Sequence, residues 1–273
     1  MFEQSRIRTR RSAAANILEL IYHSIVRNIR RGHANALMGL LVNMLQAVML
    51  VAAFYLMFTI LGLRSMAIRG DFLVYLMSGI FLFMTHIKTV NAVFGSEGPA
   101  SPMMQHAPMN TLIALAGSAL ATLYTQTLTA IIVLLGYHVI LEPVDIDRPI
   151  QTFGMFLIAW FAGAAVGIVL LALKPWSPSV VNIIAQIYTR ANMVASGKMF
   201  VANQLPPVML AMFDWNPLFH AIDQARGFAF INYAPRNSSI EYPIYVALVL
   251  IVIGFMLEFY TRRHASASWG ARA

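Results

Sequence analysis

The sequence contains no cysteine, and only 11% of its 273 residues are charged, whereas 59% are hydrophobic. Without cysteine the chain can form neither a disulfide nor a thiolate nucleophile, and cysteine metal sites are excluded. Soluble domains carry roughly 25% charged residues, so the composition argues strongly against a soluble globular fold. It favours a protein that lies mostly in lipid.

Motifs for enzymatic chemistry are also missing. No Walker A sequence G-x-x-x-x-G-K-[ST] occurs, because Gly197 and Lys198 are followed by Met199, so the chain cannot bind nucleotide phosphates by that device. The histidines show no H-E-x-x-H or paired spacing, which leaves a metal site unsupported. The pair Asp145 and Asp147 has D-x-D spacing but lies in a short loop, and we interpret it as solvated turn residues. We expect no metal and no cofactor.

Charge-poor runs recur along the chain, and each is long enough to cross a hydrocarbon layer of about 30 Å. They predict an all-α integral membrane protein with six transmembrane helices. The predicted spans are residues 37–61, 72–94, 111–141, 150–173, 179–201 and 242–260. Between the fifth and sixth spans, residues 205–233 are apolar but interrupted by prolines and charges, which predicts a re-entrant segment.

The chain begins with a basic segment that is amphipathic. Within residues 16–31, apolar side chains recur at i, i+3, i+4 spacing on one side, and charged ones lie on the other. We predict a helix in the membrane interface, with a partly disordered tail as the alternative. The first 35 residues lack the apolar core of a signal peptide, so we expect this segment to be retained.

The net charge of +8 is better explained by orientation in a membrane than by nucleic-acid binding, because seven of the nineteen Lys and Arg residues lie in the first 31 positions. With Arg262, Arg263 and Arg272 at the other end, both termini are predicted to be cytoplasmic. The predicted organisation is a cytoplasmic interface helix over residues 1–35, a six-span domain over 36–261 and a short cytoplasmic tail over 262–273.

Arg190 is the residue that topology does not explain. It lies about 18 Å into the fifth span, close to the membrane centre, where insertion of Arg costs about 2.5–3.5 kcal/mol. Together with Lys198, Asn182 and Gln186 it could line a path for an anionic substrate. The alternative, pairing of Arg190 with an acid such as Glu258 or with backbone carbonyls, stays open.

The segment after the fifth span carries a more specific pattern. Ser196-Gly197-Lys198-Met199-Phe200 is followed by Leu205-Pro206-Pro207, and then by Asn216-Pro217-Leu218-Phe219-His220 and Arg226. This run resembles the "SG-x-x-F, LP, NPL-x-H, R" pattern of ABC-2 type export permeases, and among them of the capsular-polysaccharide and O-antigen exporters. The order of elements along nearly the whole chain is similar to that family. Lys198 stands where a hydrophobic residue is more usual, which suggests an acidic substrate.

The resemblance implies a permease without catalytic residues that works as a homodimer with two copies of a separate ATP-binding subunit. It implies a bacterial inner-membrane location, a lipid-linked glycan as cargo, and allows periplasmic or outer-membrane export partners, with no nucleic acid. Pro206, Pro207, Asn216, Pro217, His220 and Arg226 form the outer re-entrant motif. The ATPase-coupling helix falls in the link after the second span. The implied coupling residues are Glu97, Met103, Met104, Gln105, His106 and Pro108.

The function predicted is export of a lipid-linked, acidic polysaccharide of capsular type. Another cargo for the same kind of permease, such as O-antigen, teichoic acid or a small hydrophobic molecule, is the first alternative. An integral-membrane transferase acting on a polyprenyl-linked substrate is the second. A transferase would need convergent acids and bases, for which Asp214, His220 and Asp223 are the strongest residues, and we interpret these as capping and packing groups.

Overall fold

The computed structural model describes residues 10–30, 36–62, 68, 71–98 and 111–264, and this part of the chain is helical without any strand. In chain order the helices are α1 (Arg10–Arg30), α2 (Ala36–Ile60), α3 (Phe72–Phe94), α4 (Thr111–Ile140), α5 (Pro149–Leu173), α6 (Pro178–Ala195), α7 (Pro207–Phe213), α8 (Pro217–Ala229) and α9 (Glu241–His264). A single turn of 3-10 helix at Ala202–Gln204 precedes α7.

Five of these helices, α2, α3, α4, α5 and α9, are long and apolar enough to cross a membrane. The prediction of an all-α protein with several potential membrane spans is thereby confirmed at this level. Large apolar side chains cover the outer faces of α2 and α9, where Leu41, Leu45 and Met256 are exposed. Such faces are stable in contact with lipid rather than with water.

The ends of the helices follow from local sequence chemistry. The Asp71 side chain accepts a hydrogen bond from the Leu73 backbone N–H at 2.8 Å and so caps the start of α3. Proline stands at the first position of α5, α6, α7 and α8, where its missing N–H costs no helical hydrogen bond.

Helix α3 is the centre of the fold. It packs against α2, α4, α5 and α8, while α5 also packs against α9 on its other side. The close contacts need glycine: a Cβ on Gly163 of α5 would come within 2.6 Å of the His86 carbonyl oxygen of α3. One turn further on, Gly167 lies against Val90 and Val93 of α3 in the same way. The G-x-x-x-G spacing therefore joins α3 to α5.

The predicted fifth span, residues 179–201, differs from the helix found there. Helix α6 ends at Ala195 and is not among the five apolar helices. Its end is set by Gly197, whose φ of +78° is the left-handed conformation that terminates helices. A Cβ at Gly197 would also lie 2.8 Å from the Phe219 ring, so space and backbone both require glycine. Lys198 therefore lies beyond α6.

Helix α1 packs against the first half of α4. The contact is close at Ser24, because a Cβ on Gly117 would overlap the Ser24 side chain. On the other side of α1, Ile17, Leu18 and Tyr22 are exposed.

Candidate functional site

Helix α6 carries a polar stripe on an exposed surface. Asn182, Gln186 and Arg190 are spaced i, i+4, i+8, which puts them on one side of the helix, and all three are exposed. Apolar side chains border them, with Ile187 and Val194 among the most exposed of the helix. In a single copy of the chain, α6 thus has an exposed face that carries two amides and a guanidinium beside apolar groups.

Arg190 has no acidic partner among the residues that the structure describes. Glu258, the acid considered as its partner, lies on α9 and is 9% exposed, and no ion pair joins the two side chains. Within the described ranges the Glu258 Oε1 atom accepts no hydrogen bond. The pairing with Glu258 is not present, so the Arg190 charge remains available at the surface of α6.

Lys198 is not brought together with Arg190. It lies in the turn after α6, is 1% exposed, and its ammonium group donates a hydrogen bond to the Met193 carbonyl oxygen. The same group lies 3.8 Å from the centre of the Phe83 ring and 5.3 Å from that of Phe54. Aromatic faces attract a cation, so Lys198 is held inside the fold by α2 and α3.

Arg226 of α8 holds the turn that contains Lys198. Its Nη1 atom donates to the Gly197 and Phe200 carbonyl oxygens at 2.8 and 2.6 Å, and its Nη2 atom donates to the Lys198 carbonyl at 2.6 Å. The guanidinium also lies over the Tyr75 ring at 4.2 Å. Because the turn after α6 has no helical partners for these carbonyls, Arg226 satisfies them from 26 to 29 residues away.

Asn216 joins the end of α6 to the start of α8. Its side-chain oxygen caps α8 by accepting from the Leu218 N–H at 3.0 Å. Its amide nitrogen donates to the Asn192 side-chain oxygen and to the Ala195 carbonyl, both at 3.0 Å. Asn216, which is followed by Pro217, therefore caps the start of α8 and also binds the last residue of α6. Pro206 and Pro207 start α7 in the same loop.

Asp223 is the buried acid of this region. It is 2% exposed and accepts hydrogen bonds from the Tyr233 hydroxyl at 2.5 Å and the Ser238 hydroxyl at 2.6 Å. Burial, and next the negative charge of Asp223, raise the pKa of the Tyr233 phenol above its ordinary value. The phenol thus stays protonated and donates to the Asp223 side chain.

His220 is engaged on both ring nitrogens. Its Nδ1 atom accepts from the Ser239 N–H at 3.0 Å, so the proton lies on Nε2, which donates to the Asp214 carbonyl at 2.5 Å. The ring packs 4.5 Å from that of Tyr242. The three residues considered for a transferase therefore do not converge, because Asp214 contributes a backbone oxygen and Asp223 binds other groups.

No group of three His, Asp or Glu side chains that could hold a metal ion occurs in the part of the chain that the structure describes. Asp147 pairs with the neighbouring Arg148 at 3.4 Å, and Asp145 is exposed. Both residues of the D-x-D pair lie in a loop before α5, as solvated turn residues do.

Helices α3 and α6 run antiparallel beside each other. The His86 ring of α3 joins α6 through Nε2 and the Tyr188 hydroxyl, which are 2.8 Å apart, and its Nδ1 atom lies 2.9 Å from the Ala159 carbonyl oxygen of α5. Val90 of α3 packs with Val181 and Ala185 one to two turns further down. His86 is fully buried and links three helices.

The coupling segment is described only at its start. Glu97 lies two residues after Gly95, which caps the end of α3, and its carboxylate pairs with Arg27 of α1 at 3.6 Å. The other predicted coupling residues, Met103, Met104, Gln105, His106 and Pro108, lie outside the described residues.

Two features of the site were missed at the sequence level. The bond between Asn216 and Asn192 spans 24 residues, and a polar cavity around Lys88 involves amides on two other helices. The ammonium group of Lys88 donates hydrogen bonds to the side-chain oxygens of Asn43 and Gln46 of α2. Amides at i, i+3 spacing inside α2 were the available signal.

Comparison with known proteins adds no relative. No protein-family model matches the chain, and no curated protein matches it either. The description of its function therefore rests on its own residues and contacts.

Proposed function

We propose that this chain is the permease subunit of an ATP-driven exporter of the ABC-2 type. It moves a lipid-linked, acidic polysaccharide across the bacterial inner membrane and works as a homodimer. The support comes from the exposed polar stripe of α6, the short helices α7 and α8 that follow it, and the motif residues Asn216 and Arg226, which join α8 to the end of α6 and to the turn after it.

The observation that carries the proposal is Arg190, exposed on α6 without an acidic partner among the described residues. A cation near the membrane centre is costly unless it faces a partner, water or an anionic ligand. Two copies of the chain that meet along α6 would place two such stripes around one path. That path suits an anionic glycan, because Asn182 and Gln186 continue it with hydrogen-bonding groups.

Helix α6 is proposed as a sixth crossing. Its 18 residues measure about 27 Å, close to the thickness of the hydrocarbon layer. Its bond to His86 lies well inside α3, which is itself long enough to span. Six crossings put both termini on the cytoplasmic side, in agreement with the basic ends of the sequence.

The segment between α6 and α9 is proposed to be re-entrant. The Lys198 turn touches α3 at Gly79, where a Cβ would come within 2.9 Å of the Lys198 Cα atom. Gly79 lies seven residues inside α3, about 10 Å from its outer end. The chain thus turns back below the outer surface, and irregular backbone at that depth is tolerated because Arg226 satisfies its carbonyls.

ATP hydrolysis is assigned to a separate subunit in two copies, since this sequence has no Walker A motif. The link after α3 is proposed to dock on that subunit. Helix α1 is proposed to lie in the cytoplasmic interface, with Ile17, Leu18 and Tyr22 toward lipid.

The test is Arg190→Ala in cells, with acidic polysaccharide at the cell surface as the readout. We expect export to fall by about tenfold or more, because the substitution removes the only charge of the stripe. Arg190→Lys keeps a positive charge and should retain most export. Arg236→Ala removes an exposed cation outside the stripe and should leave export unchanged.

Folded, membrane-inserted Arg190→Ala protein with full export of the acidic glycan would overturn the role of the stripe. If the same variant loses an acidic glycan and keeps a neutral one, charge recognition is supported. Loss of folded protein from the membrane would instead favour a structural role for Arg190.

A further inference from the structure

A second polar site lies away from α6. A cavity of about 540 Å³ opens between α1, α2, α3 and α4. The residues that matter most for its chemistry are Asn43 of α2, Lys88 and Asn91 of α3, and Gln126 of α4. Helices that are otherwise apolar thus direct one cation and several amides toward the same space.

Helical spacing explains how these groups meet. Lys88 and Asn91 of α3 and its cap residue Gly95 follow one another at i, i+3, i+7 and line the cavity. On α2, Gly39 and Asn43 are one turn apart and face them. Neither glycine adds a side chain to the lining of the cavity.

Lys88 carries a charge that nothing in the described lining compensates. Its ammonium group donates to the Asn43 side-chain oxygen and to Gln46 Oε1 at 2.9 Å. The Asn43 oxygen also accepts from Gln126 Nε2 at 3.3 Å. An ammonium has three N–H groups, so one remains for a ligand. No Asp or Glu lines the cavity within the described ranges.

The remaining walls favour an amphipathic ligand. Asn91 is exposed, and its amide makes no hydrogen bond within the described part of the chain. Beside these polar groups the cavity is lined by Ile29, Leu37 and Leu40. Lys88 lies six residues before the end of α3, about 9 Å along the helix, and so in the half of α3 nearer that end.

We propose that this cavity binds an anionic lipid through its phosphate group. Lys88 and Asn91 donate to phosphate oxygens, and the apolar wall contacts the acyl chain. Charge-assisted hydrogen bonds of this kind are among the strongest that a polar site can make. The proposal goes beyond the export function and holds whether or not the chain transports a glycan.

The experiment measures lipid binding to the full-length chain in detergent, with fluorescent phosphatidic acid as the probe. Lys88→Gln should weaken its binding by about tenfold or more, the effect of losing one charge-assisted hydrogen bond. Lys88→Arg should keep most of the affinity. Lys174→Gln removes a lysine that packs on Phe94 outside the cavity, and should change binding by less than about twofold.

A second variant covers the case in which Lys88→Gln fails to fold. Ala92→Phe places a ring in the cavity and leaves Lys88 and its two acceptors intact, so it should also weaken binding. Full binding by a folded Lys88→Gln protein, or by Ala92→Phe, would overturn the proposal. Equal binding of zwitterionic phosphatidylcholine would overturn the role of charge. Inorganic phosphate that competes as well as the lipid would overturn the lipid assignment.

Discussion

At the residue scale, two buried cations meet at the turn after α6: Lys198, which lies in it, and Arg226 of α8, whose side chain binds it. Neither forms an ion pair within the described ranges; Lys198 is held by aromatic rings and Arg226 by backbone carbonyls. A buried charge without such partners would be costly. The two residues that the sequence motif brings together thus act as a clamp on the backbone rather than as an open binding site.

Arg226→Gln should therefore destabilise the protein. Glutamine cannot reach three carbonyl oxygens at once, so the turn at residues 197–200 would keep buried acceptors without donors. The expected loss is about 3 kcal/mol or more, from hydrogen bonds to a charged group at roughly 1.5–3 kcal/mol each. A lower melting temperature in detergent measures it.

The matched control is Arg236→Gln, an exposed residue of the following loop, which should melt within about 1 °C of the parent chain. An Arg226→Gln protein that melts at the parent temperature would contradict the clamp.

At the element scale, the contact between α3 and α5 depends on the absence of side chains. Gly163→Leu should separate the two helices, because the added atoms would overlap the His86 backbone. We expect it to lower thermal stability strongly and to reduce the yield of folded protein. Gly154→Leu is the control on the same helix, since nothing lies within 4 Å of a Cβ there. If the two substitutions lower stability equally, the close packing of α3 against α5 at Gly163 does not contribute to stability.

A second prediction at this scale concerns the joint between α1 and the link after α3. Glu97 pairs with Arg27 across that joint. If the link couples the permease to an ATPase, Glu97→Gln should lower export while ATP hydrolysis in the membrane continues. If export and ATP hydrolysis both stay at the levels of the parent protein, Glu97 has no role in coupling.

Most of the helices could be predicted from the sequence because their limits are local. The prediction and the structure agree on a helix over residues 72–94, because the Asp71 side chain caps its start and Gly95 follows its end. The end of α6 has a local signal in Gly197, but the position of the turn beyond it could not be predicted in this way. It is fixed by Arg226, a residue about 28 positions further along the chain, and by the space beside Phe219.

The candidate site was predictable only in part for the same reason. Asn182, Gln186 and Arg190 share a helix, so their spacing alone places them on one face. Lys198 was expected to continue that face, but a glycine turn separates it from α6. The cavity around Lys88 joins residues 42 to 83 positions apart, which no local pattern reveals.

At the scale of the whole molecule, the absence of cysteine makes the number of crossings measurable. Single cysteines can be introduced at Ser177, before α6, and at Asn232, after α8, on a background without thiols. If α6 crosses the membrane, an impermeant thiol reagent added to intact cells should label Asn232→Cys and leave Ser177→Cys unlabelled. Labelling of both or of neither would contradict a crossing by α6.

The proposed export function requires that this chain work with a partner that hydrolyses ATP. The most direct measurement is purification of the full-length chain from its native membranes in mild detergent, followed by identification and counting of bound proteins. We expect a stoichiometric partner that carries a Walker A motif, with two copies of each subunit. A folded chain that purifies with no such partner, and forms no complex after cross-linking in the membrane, would contradict it.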